Sequence, residues 1–237
     1  MPESWEEITP QQIIAIGCTY NNSISDIAFL STITGIRKRV ISRLDNYQRF
    51  ILGESFDFLG TQNMHHAFVL PHVRVGETVF YTPLPRLKGM TFGQFIFIDT
   101  WFGIYQNNKN KNDLSRFLAA LCLHDPKNFT EEQIDENAPV LSLLKSDIKE
   151  ALVINFLLVK KWLMHSYPLV FPEPIENEEP ESKNSEPAKY DTNSWIRIYD
   201  SLVGDDIPNR DAYSTWPVNE ALRYLSRKIK ESIKKKK

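Results

Sequence analysis

The sequence predicts a mainly helical protein, a helical bundle that carries a small β-hairpin or extended arm and a linker-tethered C-terminal helical segment. Apolar residues recur at helical spacing along most of the chain, and several of these runs begin with a capping signal such as Thr91-Phe-Gly-Gln94. Glycine is scarce, with 9 residues in 237, whereas large sheets and phosphate-binding α/β folds use more glycine in their turns. Both observations favour helices.

Three helices are predicted before residue 61. A proline at the first helical position starts one over residues 9–17, and a serine cap starts a second over 25–35, each ending at a glycine. From Ile36 apolar residues follow at three- and four-residue steps. We expect one amphipathic helix there, ending near Gly53 or Gly60, with its arginines off the apolar stripe.

The period then changes to two. Valines alternate with polar residues over 67–82 around Gly76-Glu77, with prolines on either side. This pattern predicts the hairpin or arm, and because a lone hairpin is marginal in water it should pack on other elements.

Capping signals predict the helices that follow. Thr91 and Gln94 form a capping box for an aromatic helix, and Asp113 is expected to cap the next one. Thr130-x-x-Gln133 is a second box. The longest predicted helix covers about Val140 to His165 and is apolar on every side in its middle, which is typical of the centre of a bundle.

A Pro- and Glu-rich stretch divides the chain. Residues 173–191 hold little to bury, so we predict a solvated linker between a core at 1–172 and a C-terminal helical segment at 192–237. The segment contains a helix from Trp195 to Gly204, a last helix opened by Pro217, and a basic tail.

Composition and charge exclude several classes of protein. The net charge is −2, which gives no general attraction to nucleic acid or membranes. The acidic N-terminal sequence lacks the apolar stretch of a signal peptide, and the most apolar run, 151–164, is shorter than the roughly 20 residues that span a bilayer. Two distant cysteines indicate a reducing compartment. We expect a cytoplasmic protein.

No constellation predicts a metal, a cofactor or a catalytic site. The histidines at 65, 66 and 72, and the pair Cys122 and His124, lack the spacing of zinc sites, so they are interpreted as ordinary loop and surface residues. Asp99, Asp113 and Asp125 suit caps, turns or an exposed helix face. The sequence has no glycine-framed nucleophile and no phosphate loop, and we therefore predict that the protein is not an enzyme.

Short motifs resemble a known family. The runs Met90-Thr-Phe-Gly-Gln-Phe95 and Leu118-Ala-Ala-Leu121, followed by a long apolar helix ending in Tyr167-Pro168 and Phe171-Pro172, are similar to tail assembly chaperones of tailed bacteriophages and prophages. The linker and the helix ending in Leu202-Val-Gly-Asp205 also resemble that family. The resemblance implies a non-enzymatic cytoplasmic factor, in the host cell, that binds an apolar helical tape-measure protein and recruits tail-tube subunits.

The predicted contact with such a protein client is the apolar face of the tethered helix, formed by Trp195, Ile198, Tyr199 and Leu202. A helix this short must bury its aromatic face against its own core or against a partner. The alternative function is a nucleic-acid-associated regulatory or structural protein that uses the basic helix at 36–49 and the lysine tail. Membrane partners are not expected, and formation of a homo-oligomer stays open.

Limited proteolysis tests the predicted linker. The first cuts should fall between Pro172 and Asn193, because an extended acidic segment enters a protease active site without unfolding anything else. Mass spectrometry of the early fragments locates the cuts. First cuts inside residues 140–165, with the linker left intact, would contradict the predicted boundary.

Overall fold

A computed structural model describes residues 1–20, 22–61, 64–171 and 194–235. Over these residues the chain is mainly helical with one two-stranded antiparallel sheet, as predicted. The helices are α1 (Pro10–Tyr20), α2 (Asp26–Thr34), α3 (Lys38–Ile41), α4 (Asn46–Glu54), α5 (Phe58–Thr61), α6 (Phe92–Asn108), α7 (Lys111–Leu121), α8 (Glu132–Leu141), α9 (Ser146–Ser166), α10 (Ser194–Val203), α11 (Arg210–Ser214) and α12 (Val218–Lys235). The strands are β1 (His72–Val75) and β2 (Thr78–Tyr81), and 3-10 turns lie at Trp5–Glu7, Pro85–Leu87 and Ile207–Asn209.

Contacts group the described residues into two compact units. The first combines Met1–Arg86 with Leu143–Leu163, and the second combines Leu87–Ser142 with Met164–Lys237. This grouping differs from the predicted division into a 1–172 core and a 192–237 segment, because the C-terminal helices share a unit with α6. The predicted linker, 173–191, lies outside the described residues, so its exposure to proteases stays a prediction.

In the first unit, α1 continues past the glycine that was expected to end it. Gly17 is buried inside α1, and a Cβ there would lie 2.7 Å from Asp147 O and 2.9 Å from Ala151 N of α9. The glycine therefore permits a close approach of two helix backbones. The second predicted helix is confirmed: Ser25 caps α2, and Gly35 follows its end with a φ of +73°.

The single amphipathic helix predicted from Ile36 onward is wrong. The chain forms three short helices instead, α3, α4 and α5. Asp45 ends the continuity because its side chain accepts from Gln48 N–H while Gln48 Oε1 accepts from Asp45 N–H, a complete capping box that starts α4 anew. The apolar residues of this region therefore do not share one buried stripe.

The hairpin prediction is confirmed. β1 and β2 pair in antiparallel register from His72 opposite Tyr81 to Val75 opposite Thr78, joined by Gly76-Glu77 with glycine at a φ of +59°. Two bonds fix its base, since Thr82 N–H donates to Pro71 O and the Thr82 hydroxyl donates to Leu70 O. The hairpin is thereby joined on both sides to the chain that precedes it.

The chain leading into the hairpin is held by a buried amide of α9. Asn155 is completely buried, its Oδ1 accepts from Val69 N–H at 2.7 Å, and its Nδ2 donates to Ala67 O at 3.0 Å. Leu158 O accepts from His65 N–H at 3.2 Å one turn further along α9. An irregular segment thus has its backbone groups paired without a neighbouring strand.

In the second unit, α6 begins as predicted but with half of its capping box. Thr91 caps α6 by accepting from Gln94 N–H. The Gln94 side chain is buried and donates instead to Ala120 O of α7 at 3.3 Å. The start of α6 is also paired with the start of α12: Phe92 N–H donates to Trp216 O, and Val218 N–H donates to Met90 O.

Two further boundaries differ from the sequence prediction. Asn110, rather than Asp113, caps α7 by accepting from Asn112 and Asp113 N–H. The predicted helix from Val140 to His165 is split into α8 and α9 by the turn at 142–145. Pro139 lies in the last turn of α8, and the Ser142 hydroxyl donates to Pro139 O at 2.6 Å, which satisfies a terminal carbonyl. The chain passes from the second unit to the first at this break.

Replacing Asn155 tests its role in the first unit. Asn155→Ala should lower the free energy of unfolding by roughly 2–4 kcal/mol, because Ala67 O and Val69 N–H would be left unpaired in a dry site. Denaturant titration gives the value. The control is Leu157→Ala on the same helix, where the side chain is 39% exposed and a loss of no more than about 1 kcal/mol is expected. Equal losses for the two variants would contradict the role of Asn155.

Candidate binding surfaces

The structure places the aromatic residue expected to contact a client inside the second unit. Trp195 is 2% exposed. Its ring meets the rings of Phe92, Phe95 and Phe171 edge-on, with centroids 5.9, 5.2 and 5.8 Å away. Its Nε1–H donates to Asp99 Oδ2 at 2.7 Å. The indole is therefore held by both its apolar body and its polar edge.

The other members of the predicted contact follow the same face. Leu202 is buried, and Ile198 and Tyr199 are half-buried. The Tyr199 ring is stacked near Phe92 at 6.3 Å, and its hydroxyl donates to Arg210 O. The aromatic face of this helix is therefore buried against the protein's own core and not left exposed for a partner. The four residues do not form an exposed surface while α10 keeps this position.

The burial of Asp99 corrects another expectation. It was assigned an exposed helix face, but it is 2% exposed and pairs with Trp195. The aromatic residues of α6 belong mainly to the core, as predicted: Phe92, Phe95 and Phe102 are buried. Trp101 is half-buried and lies under the Arg116 guanidinium, 4.7 Å from its ring centroid.

An exposed apolar face lies instead on α4 in the first unit. Tyr47, Phe50 and Ile51 are 72%, 61% and 44% exposed, and none of the described residues of α4 is buried. Their spacing of three and four residues puts the side chains together on one side of the helix. The half-buried residues, Arg49, Leu52 and Gly53, lie on the opposite side. Thus the side of α4 that packs against the rest of the chain is the less apolar one.

The same part of the chain carries exposed positive charge. The four exposed cations before α4 are Arg37, Lys38, Arg39 and Arg43. Nearby carboxylates are fewer, with Asp45 committed to the α4 cap. A ligand with apolar residues and flanking carboxylates would match this surface in both respects.

A histidine pair of the first unit meets a distant glutamate. His65 is buried, contrary to the expectation of a surface residue, and His66 is half-buried. The candidate ligand atoms of Glu6, His65 and His66 all lie within 4.8 Å of one another. His72 lies in β1 and is cross-strand to Tyr81, so the three histidines grouped by sequence are separated.

Burial and charge set the ionisation of this cluster. Desolvation lowers the pKa of His65 below its usual 6.5, opposed by the Glu6 charge, so the imidazole is neutral at pH 7. A hydrogen bond from its own backbone N–H and a second one from the Ser4 side chain lower the pKa of Glu6, and burial partly opposes them. At neutral pH the cluster therefore offers the neutral imidazole of His65 and the carboxylate of Glu6. The other sequence-noted pair is different, since burial raises the pKa of the Cys122 thiol to about 12.

The second unit carries a shallow cleft on α12. Its volume is about 320 Å³, and its lining combines the rings of Trp216 and Tyr224 with Glu220, Arg223 and Arg227. The Arg227 guanidinium lies 5.8 Å from the Tyr224 ring centroid. Both rings are half-buried, and rings beside arginines can stack with planar groups.

Comparisons with protein-family models, curated proteins and solved structures gave no match to this chain. The resemblance to tail assembly chaperones therefore rests on the sequence motifs. Within the described residues, no helix has the length and apolar character needed to cross a membrane.

A double-mutant cycle tests the buried pair of the second unit. Trp195→Phe and Asp99→Ala should each destabilise the protein, and their coupling energy should exceed about 1 kcal/mol because the indole N–H donates to a carboxylate in a dry site. Urea unfolding gives the energies. Ile196→Ala, at a neighbouring residue that is 57% exposed, is the control and should change stability by less than about 0.5 kcal/mol. If the changes in the free energy of unfolding are additive, the hydrogen bond between the two side chains does not contribute to stability.

Proposed function

We propose that this protein is a non-enzymatic assembly chaperone, of the kind it resembles in tailed phages, and that it binds an apolar helical client on the exposed face of α4. The observation that carries the proposal is the exposure of Tyr47, Phe50 and Ile51 on one side of a helix without a buried residue among those described. Aromatic and aliphatic anchors at this spacing are the recurring means by which one helix binds another.

The energetics of α4 support a partner. A helix of nine residues is marginal in water by itself, since isolated helices need about 12–15 residues. The Asp45 and Gln48 capping box stabilises its first turn, but the packing that normally stabilises a helix is weak here. A client that covers the three apolar side chains would remove them from water and stabilise α4 at the same time.

The charges around α4 define the client further. Exposed cations at 37–39 and at Arg43 precede an apolar face, so the complementary helix has an apolar stripe bordered by Asp or Glu. Charge complementarity of this kind mainly accelerates association and fixes orientation, while the buried aromatic anchors supply most of the affinity. A tape-measure protein, the client implied by the resemblance, is long, helical and apolar.

A designed peptide tests this surface. The probe is a helical 21-residue peptide with leucine at helical spacing on one face and glutamate beside it, and its partner peptide is a scrambled sequence of the same composition. The wild-type chain should bind the first and not the second. Tyr47→Ser with Phe50→Ser should weaken binding at least about 100-fold in fluorescence anisotropy, since each of the two aromatic anchors contributes about 1.4 kcal/mol or more, which is about tenfold in Kd.

Two controls make the result specific. Leu84→Ser with Leu143→Ser removes two apolar side chains of the same unit that are 56% and 74% exposed, and it should leave binding unchanged. Circular dichroism should show the same fold for all variants. Equal loss of binding in both double variants would refute the α4 surface. A dimer of the wild type that the Tyr47 and Phe50 changes dissolve would place a second copy of this chain there.

The cleft on α12 favours a second candidate function, binding of single-stranded nucleic acid. Rings beside arginines, followed by the cations Lys228, Lys230, Lys234 and Lys235 on the same helix, form the stacking and charge pattern of such proteins. Retention on single-stranded DNA that falls steeply with salt, and that is lost with Trp216→Ala or on deletion of Lys234–Lys237, would support it. Retention that is absent, or that does not depend on salt, would exclude nucleic-acid binding and leave the chaperone function as the one proposal. At the genomic level, neighbouring genes for a tail-tube protein and a very long coiled-coil protein would support the phage assignment.

A further inference from the structure

The histidine and glutamate cluster of the first unit has the donor set of a transition-metal site. Two imidazoles and one carboxylate bind Zn²⁺ and its neighbours in the first transition series, whereas Mg²⁺ and Ca²⁺ prefer oxygen ligands throughout. Three protein ligands leave a fourth position of a tetrahedral ion for water. All three side chains belong to the same compact unit.

One ligand atom is buried without a partner. His65 is 8% exposed, and its Nδ1 has no hydrogen-bond partner among the described residues. The nearest opposite charge, Glu6 Oε1, is 3.7 Å away, which exceeds the range of a hydrogen bond, about 3.2 Å. A buried nitrogen left unpaired costs free energy. A metal ion between the imidazole and the carboxylate would satisfy both groups.

The backbone brings both rings to one side. Successive side chains of a strand point in opposite directions, but the chain bends at His66 and Ala67, and the two ring centroids lie 5.1 Å apart. His65 N–H donates to Leu158 O of α9, and His66 O accepts from Arg86 N–H at 2.6 Å. The His66 ring also lies beside Trp162, with centroids 6.4 Å apart. The pair is thus fixed before any ion arrives.

Glu6 supplies the adjustable ligand. It lies in the 3-10 turn Trp5–Glu7, whose Trp5 is buried with its ring edge-on to Phe58 at 6.1 Å. The Glu6 side chain itself is 60% exposed. Ligands about 2.0–2.2 Å from a tetrahedral ion are roughly 3.3–3.6 Å apart, so a small movement of the exposed carboxylate would complete the site.

We propose that Glu6, His65 and His66 bind a divalent transition-metal ion of the Zn²⁺ type, which joins the N-terminal 3-10 turn to the segment at 64–67. Binding of the ion to the folded chain stabilises the first unit, since Glu6 is far in sequence from the adjacent pair His65 and His66 and meets it only on folding. The site is independent of the α4 surface.

Metal titration of the untagged full chain tests the site. Zn²⁺ should bind in a 1:1 ratio by isothermal titration calorimetry, Co²⁺ should give visible absorption bands of a low-coordinate ion, and Mg²⁺ should not compete. At Zn²⁺ about 100-fold above Kd the melting temperature should rise by roughly 5 °C or more. Glu6→Gln and His66→Gln should each weaken Zn²⁺ binding by at least about 10-fold, because even the loss of outer groups costs metal sites about 10–100-fold.

The matched controls are Glu7→Gln, in the same turn, and His72→Gln, in β1. Both keep the proposed ligands and should retain wild-type affinity. Glu6→Gln changes an exposed side chain and tests the site even if a histidine variant fails to fold. Absence of 1:1 binding, competition by Mg²⁺, or equal weakening by the control variants would overturn the proposal.

Discussion

In the first unit, the side-chain amide of Asn155 makes the backbone hydrogen bonds that an adjacent strand would otherwise make. Its oxygen accepts from Val69 N–H and its nitrogen donates to Ala67 O, which is how a residue of an adjacent strand pairs with two backbone groups spaced by two residues. Because the amide is completely buried, water cannot replace these bonds. An irregular segment can therefore pass against an apolar helix without leaving unpaired polar groups.

Much of the first unit depends on that attachment. The histidine pair precedes the two bonded residues, and the hairpin follows them, with its base closed by Thr82. The close packing of α1 on α9, which requires a glycine at residue 17, also positions this helix. The site proposed for a metal ion and the ordered start of the hairpin thus depend on one polar residue in an otherwise apolar part of α9.

The second unit uses a polar residue in a similar way. Asp99 lies on the aromatic helix α6 and accepts from Trp195, so a carboxylate fixes the position of an indole that apolar packing alone would hold less specifically. The pairing of Phe92 and Met90 backbone groups with Trp216 and Val218 joins the start of α12 to the same helix. In this unit the C-terminal helices pack against α6, and their apolar faces are buried within the unit.

The two units consequently differ in what they leave uncovered. The faces of α10 that suggested a partner contact are buried, whereas α4, which the sequence assigned to a continuous helix with a buried stripe, exposes its aromatic residues. An amphipathic stripe has the same pattern whether its own chain or another chain covers it. Sequence periodicity identifies such a stripe and does not tell which surface covers it.

The sequence by itself determined the helical class, the hairpin and its turn, the caps of α2 and α6, the start and end of α10, and the start of α12, because these depend on interactions within a few residues. The candidate binding surfaces could not be predicted from the sequence in the same way. The Asp45 capping box interrupted one predicted helix, and the turn at 142–145 interrupted another. Gly17, Gln94 and Asp99 were each assigned a local or exposed role, and tertiary contacts gave them others. The convergence of Glu6 with His65 and His66, and the exposure of α4, were decided only by the tertiary structure, since both depend on which distant segments meet and which remain apart.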